Sequence, residues 1–311
     1  MRVSTEELIH AIRASTDFCI YTHIKPDGDA VGSAFGLAIA LQKLGKKVCV
    51  KCQDPWPDAF KELISTFVPN SVNNEIGIAV DVSAAARLGI YENADISICI
   101  DHHKSNLCYF SLTYLEKEAI SCSSSIFRLL DDLFPCVPKE VRRLLFIGLL
   151  TDSDGFRSLE VTKRVFFDAA EILSDDIDPS ELIRRYHSNK TVIELECEKV
   201  LLENLYFSYN NLVSIAFLPE DILNKIGRGN TDSLAGIAAR ITGVEIGITI
   251  FQKSECEYSI SIRSNGDWDS SLLAESLGGG GHKSAAGENV SELNVLALIH
   301  EINRKIGDIY L

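Results

Sequence analysis

The stretch Ile96-Ser-Ile-Cys-Ile-Asp-His-His-Lys-Ser-Asn106 decides how the rest of the chain is read. Ile96, Ile98 and Ile100 alternate with Ser97 and Cys99 in a short run without Gly or Pro. Such a β-branched run predicts a buried strand. It ends in Asp101-His102-His103, so three polar groups stand together at the strand's C-terminal end. In open α/β sheets ligands bind outside that end. Imidazole beside carboxylate suits a divalent transition metal. A strand end with solvated histidines would read the same way, so the triplet has to be weighed with the remainder of the chain.

Working outward, residues 18–22 predict a first strand running into His23-Ile-Lys-Pro-Asp-Gly-Asp29. Pro26 and Gly28 force a turn there, with His23, Asp27 and Asp29 in or beside it. Residues 30–44 are helical in pattern, with small Gly32, Ser33, Ala34 and Gly36 allowing close packing on a sheet and Gly45 suited to a C-cap. Strands are predicted at 47–51 and at 76–80, the latter ending at Asp81, and a helix from 83 to 88 with Ser83 as its candidate cap. A helix over 5–13 opens the chain, and helices over 121–133 and 139–150 follow the decisive strand, the second delivering Asp152. Strands alternating with helices imply a mainly parallel sheet with crossover helices.

Residues 161–205 are charged and helical, broken at Asp175-Asp-Ile-Asp-Pro179. Strands at 212–217, 244–251 and 258–263, with a helix at 233–241, then change the pattern. A helix over 270–277 runs into Gly278-Gly-Gly-Gly-His-Lys-Ser-Ala-Ala-Gly287, and a last helix covers 293–305. The expected fold class is α/β in two domains. A mainly parallel sheet flanked by helices fills 1–185, a helical connector 186–205, and a smaller α/β domain with a mixed sheet 206–311.

Composition bounds the function. The 311 residues are 46% hydrophobic and 24% charged, ordinary values for a globular protein. No apolar run is long enough to span a bilayer and no signal-peptide core opens the chain, so a cytoplasmic protein without membrane contact is expected. Nine scattered cysteines are expected as free thiols. Cys49 and Cys52 have redox-motif spacing, but they sit in a predicted strand, where residues three apart face opposite ways. A formal net charge of −14 argues against general binding to long nucleic acids, not against a small phosphate-bearing ligand.

The first, third and fourth strands each end in an acid or histidine, and parallel strands would gather these ends on one rim. That collects His23, Asp27, Asp29, Asp81, His102 and Asp152. One divalent cation needs about three or four such ligands, so the set suggests two metals with a bridging carboxylate. Two such ions can activate a water and clamp a phosphoryl group. Singly, each residue reads equally well as a surface acid or a helix cap, Asp29 above all. The glycine run, read as preceding a small-residue helix, would offer backbone N–H groups to an anion, or be a flexible loop. His282 and Arg263 add donors suited to phosphate.

Together these motifs resemble the DHH phosphoesterase superfamily, in its branch with a DHH-associated C-terminal domain, and within it the oligoribonucleases that also dephosphorylate 3′-phosphoadenosine 5′-phosphate. The resemblance covers nearly the whole chain, in the family's order. It implies His23, Asp27 and Asp81 on one metal, and Asp29, Asp81, His102 and Asp152 on the other, with Asp81 bridging. It places His103 at the scissile phosphate and Asp101 behind it, orienting it. It assigns Arg263, Gly279, Gly280, Gly281 and His282 to substrate phosphate and base, and Arg157 to substrate binding as well. It further implies two manganese ions (magnesium or cobalt as substitutes) and an active-site cleft between the domains. Asp154 departs from the pattern, standing where a small residue is common, which leaves the surroundings of Asp152 and Arg157 open.

The resulting expectation is a metal-dependent hydrolase acting on short RNA oligonucleotides and nucleotide phosphates, with a homodimer admitted. A cyclic or linear dinucleotide phosphodiesterase, a single-strand exonuclease and a nucleotide-binding module without turnover remain the alternatives.

Overall fold

The computed structural model describes residues 2–226, 231–281 and 283–311. The chain forms two compact units, Met1–Asn189 and Lys190–Leu311.

In the first unit, five strands, β1 (Asp17–Tyr21), β2 (Lys47–Lys51), β3 (Ile76–Val80), β4 (Ile96–Asp101) and β5 (Leu112–Leu115), form one sheet in the order β2-β1-β3-β4-β5. All pairs are parallel, as the strand–helix alternation predicts. The three polar-ended strands β1, β3 and β4 are therefore neighbours. Their register sets Tyr21 beside Ala79 and Val80 beside Ile100, so the residues that follow emerge along one rim.

Helices α1 (Thr5–Ala14), α2 (Gly28–Lys43), α3 (Lys61–Ile64), α4 (Cys122–Asp131), α5 (Lys139–Asp152), α6 (Lys163–Ile172) and α7 (Pro179–Ile183) complete the unit. Helix α2 is buried along 28–41, which explains its nearly all-round apolar sequence. It packs closely against α5: a Cβ on Gly32 would lie 2.5 Å from the Leu144 carbonyl oxygen, and one on Gly148 would lie 2.5 Å from Asp29 Oδ1. Both positions need glycine because backbone and site occupy that space.

Several sequence expectations need correction here. The turn after Asp81 is a 3-10 segment, Ala85–Tyr91, broken at Gly89 with φ +59°, and Ser83 does not cap it. Strand β5 was not expected; its four residues are too few for a clear alternation. Residues 161–188 are two α-helices, parted at the expected break before Pro179, and a π-helical turn, Arg184–Ser188, that was not expected.

The second unit holds α8 (Val192–Glu203), α9 (Glu220–Ile226), α10 (Asp232–Ala235), α11 (Ser270–Ser276) and α12 (Val295–Tyr310) around a six-stranded mixed sheet. Its strands are β6 (Leu205–Ser208), β7 (Val213–Leu218), β8 (Ile246–Ser254), β9 (Glu257–Ser264), β10 (Gly280–Gly281) and β11 (Ala285–Ser291), in the order β10-β11-β9-β8-β7-β6. Only β7 and β8 pair in parallel. The helix expected at 233–241 stops after Ala235, because hydroxyls of the sheet take its carbonyls: Thr249 Oγ1 bonds Ala235 O at 3.0 Å and Ser214 Oγ bonds Ala238 O at 2.6 Å. Strand β6 was not expected; it starts at Leu205, where the helical stretch was read to end, and joins β7 through Tyr209, Asn210 and Asn211, all at positive φ.

The glycine run also differs from expectation. A strand, not a small-residue helix, follows it: Gly280 and Gly281 pair with Gly287 and Ala286. Pairing β11 along the open edge of β9 satisfies both backbones, which a helix at 285–291 could not do. No helix among the described residues is long and apolar enough to cross a membrane.

Candidate metal centre

The rim gathers the predicted residues from five places. His23 follows β1, Asp81 follows β3, His102 and His103 follow β4, and Asp152 ends α5. Asp27 and Asp29 come from the start of α2. Asp27 is that helix's N-cap, its Oδ1 accepting from Asp29 N and Ala30 N at 3.0 Å each. This leaves Asp27 Oδ2 facing His23 Nε2 at 3.8 Å. Asp29 is fully buried and does not cap its own helix. It receives the first turn of α4 instead, accepting from Cys122 N at 2.6 Å and Ser123 N at 2.9 Å. A buried carboxylate at a helix N-terminus is stabilised by those unpaired N–H groups and the helix dipole.

Asp81 is the hub. Its Oδ2 is 3.4 Å from His23 Nε2, and its Oδ1 is 3.5 Å from His102 Nε2 and 3.7 Å from His103 Nδ1. His102 Nε2 also lies 3.4 Å from Asp152 Oδ2 and 4.0 Å from Asp29 Oδ2. Asp81 Oδ1 is buried without a hydrogen-bond partner. A buried carboxylate oxygen left so is costly unless a cation fills the gap. Three sets of donor atoms lie close enough to share an ion: His23, Asp27 and Asp81; Asp29, His102 and Asp152; and Asp81 with Asp101, His102 and His103. These separations exceed metal–ligand bond lengths but fall within the span of one coordination sphere, and the donor chemistry fits a divalent transition ion.

The histidines are held ready for such a role. His102 Nδ1 is 3.3 Å from the Ala119 carbonyl and His23 Nδ1 is 2.9 Å from the Ile24 carbonyl. A proton on each Nδ1 leaves each Nε2 lone pair turned to the carboxylates. His103 Nδ1 meets Asp101 Oδ1 at 2.7 Å, and Asp101 Oδ2 accepts from Asn106 Nδ2 at 2.7 Å. Asp101 therefore orients His103 and stays buried behind it.

Charge is crowded here. Burial works against the imidazolium of His23, but Asp81 and Asp27 outweigh it and push its pKa up to about 9. Burial likewise opposes charging of His102 and His103, and their carboxylate partners Asp81 and Asp101 raise both. Burial and the charge of Asp81 push Asp29 up to about 6, and burial with Asp29 raises Asp152. Asp81 alone goes the other way: burial would raise it, but His102 and His23 hold it well below the usual carboxylate range. One carboxylate kept ionised while its neighbours resist ionisation is what unneutralised like charges produce.

The other predicted residues lie in the turn after α5 and in the second unit. Arg157 is exposed, bonded to Asp154 Oδ1 at 3.0 Å and near His187 Nε2 at 3.1 Å. Asp154 is itself exposed, at φ +47°. Arg263 on β9 stands opposite Ala285, one register step from the Gly281–Ala286 pair, so it shares a sheet end with the glycine run. Gly279 lies within that run, a Cβ there meeting Gly287 O at 2.4 Å, and Gly280 and Gly281 are exposed. His282 lies outside the described residues. The Cys49–Cys52 pair is no redox motif: Cys49 Sγ contacts Cys19 Sγ at 2.8 Å, Cys52 Sγ bonds His23 O, and burial pushes the Cys49 thiol up to about 12. Sequence reading missed Ser83 and Arg87, which line the recess at the rim with His23, Asp27, Asp81, His103 and Asp152. Both lie within six residues after Asp81, and that proximity was the available signal.

Comparison with known proteins agrees with this architecture. Residues 17–149 match the DHH family, N-terminal domain, and residues 217–308 match the DHHA1 domain. The chain is 29% identical over 279 residues to the bifunctional oligoribonuclease and PAP phosphatase NrnA of Thermus thermophilus, covering 89% of this chain and 85% of that protein. It is 25% identical over 296 residues to the protein of the same name from Mycoplasma genitalium, covering 91% and 92%. The crystal structure of an exopolyphosphatase-related protein from Bacteroides fragilis shares its fold, with a TM-score of 0.86 at 22% identity over 97% of this chain and 96% of that one. With both domains matched in order, one in each compact unit, the chain carries a DHH N-terminal domain followed by a DHHA1 domain.

Proposed function

We propose that this chain is a metal-dependent phosphoesterase that hydrolyses short oligoribonucleotides and 3′-phosphoadenosine 5′-phosphate to mononucleotides. The observation that carries the reading is Asp81. Its two oxygens face His23 on one side and His102 on the other, with Oδ1 unpartnered. That is the arrangement a bridging ligand requires. The names of the relatives, each over most of the chain, supply the substrate class.

In this reading His23, Asp27 and Asp81 hold one ion, and Asp29, Asp81, His102 and Asp152 the other. Manganese suits the mixture of imidazole nitrogen and carboxylate oxygen. The ions, when bound, supply water activation and charge neutralisation at the phosphate. His103 lines the recess, and its tie to Asp101 leaves Nε2 to carry a proton to the leaving oxygen. Asp101 favours the charged form of that ring and orients it. Arg263, Gly279, Gly280 and Gly281 grip substrate phosphate in the second unit. The recess, about 90 Å³, has room for a phosphate group rather than a folded polymer, and the charge of −14 disfavours long strands.

A hydrolysis panel tests this: dinucleotides to long RNA, cyclic dinucleotides and phosphoadenosine phosphate, with metal stripped and restored. Chelation is expected to abolish turnover, and manganese to restore it better than calcium, which prefers more oxygen ligands. Activity unchanged in chelator would remove the metal reading. Turnover restricted to cyclic dinucleotides or long strands would replace the substrate class.

A further inference from the structure

Arg87 lines the recess, yet the metal reading leaves it without a task. Its main chain is pinned: the Arg87 carbonyl accepts from Ile24 N at 2.8 Å, beside the loop that carries His23. Its side chain is exposed, with Nη2 at 3.3 Å from His23 Nδ1. That same nitrogen lies 2.9 Å from the Ile24 carbonyl. It cannot serve both neighbours. Protonated, it donates to the carbonyl and has no lone pair for the arginine. Unprotonated, it accepts from the arginine and faces the carbonyl empty-handed.

A neutral histidine that binds a cation through Nε2 carries its proton on Nδ1. The Ile24 carbonyl holds that Nδ1–H whether the ring is cation-bound or fully protonated, so His23 offers Arg87 no acceptor in either state. The guanidinium stays charged at any working pH and is left with unused donors at the mouth of the recess. The charge balance runs the same way. Asp27, Asp29, Asp81 and Asp152 carry four negative charges, which two divalent ions offset. A phosphate in the recess adds negative charge beyond that balance. Among the described residues lining the recess, Arg87 is the permanently cationic one.

We propose that Arg87 is a substrate-binding residue: with the centre loaded, its guanidinium leaves His23 and pairs with a phosphate oxygen of the ligand in the recess. The inference rests on the reading that this site takes a phosphate ester. It places one phosphate-binding arginine in the same unit as the metal ligands, independent of Arg263.

Calorimetric titration of the full-length chain with manganese and then with inorganic phosphate tests it, in wild type, Arg87→Lys and Arg87→Ala. Manganese stoichiometry is expected to be unchanged in all three. Phosphate affinity of the loaded protein should fall roughly ten- to a hundredfold in Arg87→Ala, the scale of a charge-assisted contact. Arg87→Lys, keeping the charge without the fork, should recover part of it. Three results overturn the proposal: phosphate affinity of Arg87→Ala within twofold of wild type, no measurable phosphate binding by loaded wild type, or loss of manganese in Arg87→Ala, which would make the arginine a prop for His23. The substrate panel separates the two readings. Turnover by wild type with an unchanged kcat/KM in Arg87→Ala removes this inference alone. Arg87-dependent phosphate binding without turnover of any panel member removes the functional reading alone.

Discussion

At the scale of single residues, Asp81 carries the most. It sits buried at φ +58°, a left-handed conformation that Asn and Asp tolerate better than most side chains. Asp81→Asn therefore keeps backbone and shape while removing the charge between His23 and His102. A folded variant with turnover reduced about 10³-fold or more is expected, the scale of losing a main electrostatic catalyst. Circular dichroism alongside steady-state kinetics checks both halves, and near-normal turnover would end the bridging assignment. His23 gives a second prediction. With its pKa up to about 9 in the metal-free chain, it is protonated at neutral pH and must lose that proton to bind a cation. Manganese binding at pH 7 should release protons, read as a dependence of calorimetric heat on buffer ionisation enthalpy, and apparent affinity should climb until about pH 9. Binding without proton release would exclude His23 as a ligand. The stability sign follows from the raised value. In the metal-free protein the contribution of His23 is complete below its ordinary pKa of about 6.5 and is lost as pH rises through about 9.

At the scale of elements, the site depends on α2 lying between the sheet and α5. Its N-terminal turn carries Asp27 and Asp29, and its small residues let α5 bring Asp152 to the rim. Gly32→Ala tests that closeness. The new methyl would meet the Leu144 carbonyl oxygen at 2.5 Å, and a backbone atom inside a packed helix pair cannot step aside. Overpacking of this kind costs about 1–3 kcal/mol, against about 1 kcal/mol gained from helix propensity. A lower Tm and a reduced manganese affinity are expected together. A higher Tm with unchanged metal binding would show that α2 and α5 have room to spare. Element identity was legible wherever a strand or helix had its own periodicity: β1 to β4, α2, α4 and α5 stand within two residues of their expected ends. It was not legible where a neighbour decided. The edge of β9 turned 285–291 into a strand, and hydroxyls from the second sheet ended α10 early.

At the scale of the whole molecule, the two compact units divide the proposed labour. Every proposed metal ligand lies before residue 189, and Arg263 with the glycine run lies after it. A chain ending at Asn189, which retains its own large apolar core, is expected to bind manganese with the stoichiometry of the full chain while turning over oligonucleotides poorly. Arg263→Ala in the full chain should keep its metal and lose roughly ten- to a hundredfold in kcat/KM on both oligonucleotides and phosphoadenosine phosphate. Equal kcat/KM for Arg263→Ala and wild type on both substrates would take the second unit out of catalysis.

The sequence by itself determined the parallel sheet of the first unit, the mixed sheet of the second, and which acids and histidines end the strands. Those follow from local periodicity and from punctuation by Gly and Pro, interactions between residues close along the chain. Only the tertiary structure decided what each acid does. Asp27 and Asp29 are two residues apart in one turn, and nothing local says which caps α2. The approach of α4, more than ninety residues later, gives Asp29 two N–H partners and leaves the cap to Asp27. The same holds for Arg87, an unremarked arginine until folding of the turn after β3 sets its guanidinium against His23. Chemistry at a rim depends on distances of a few ångströms between segments far apart in the chain, and no pattern within one segment encodes those.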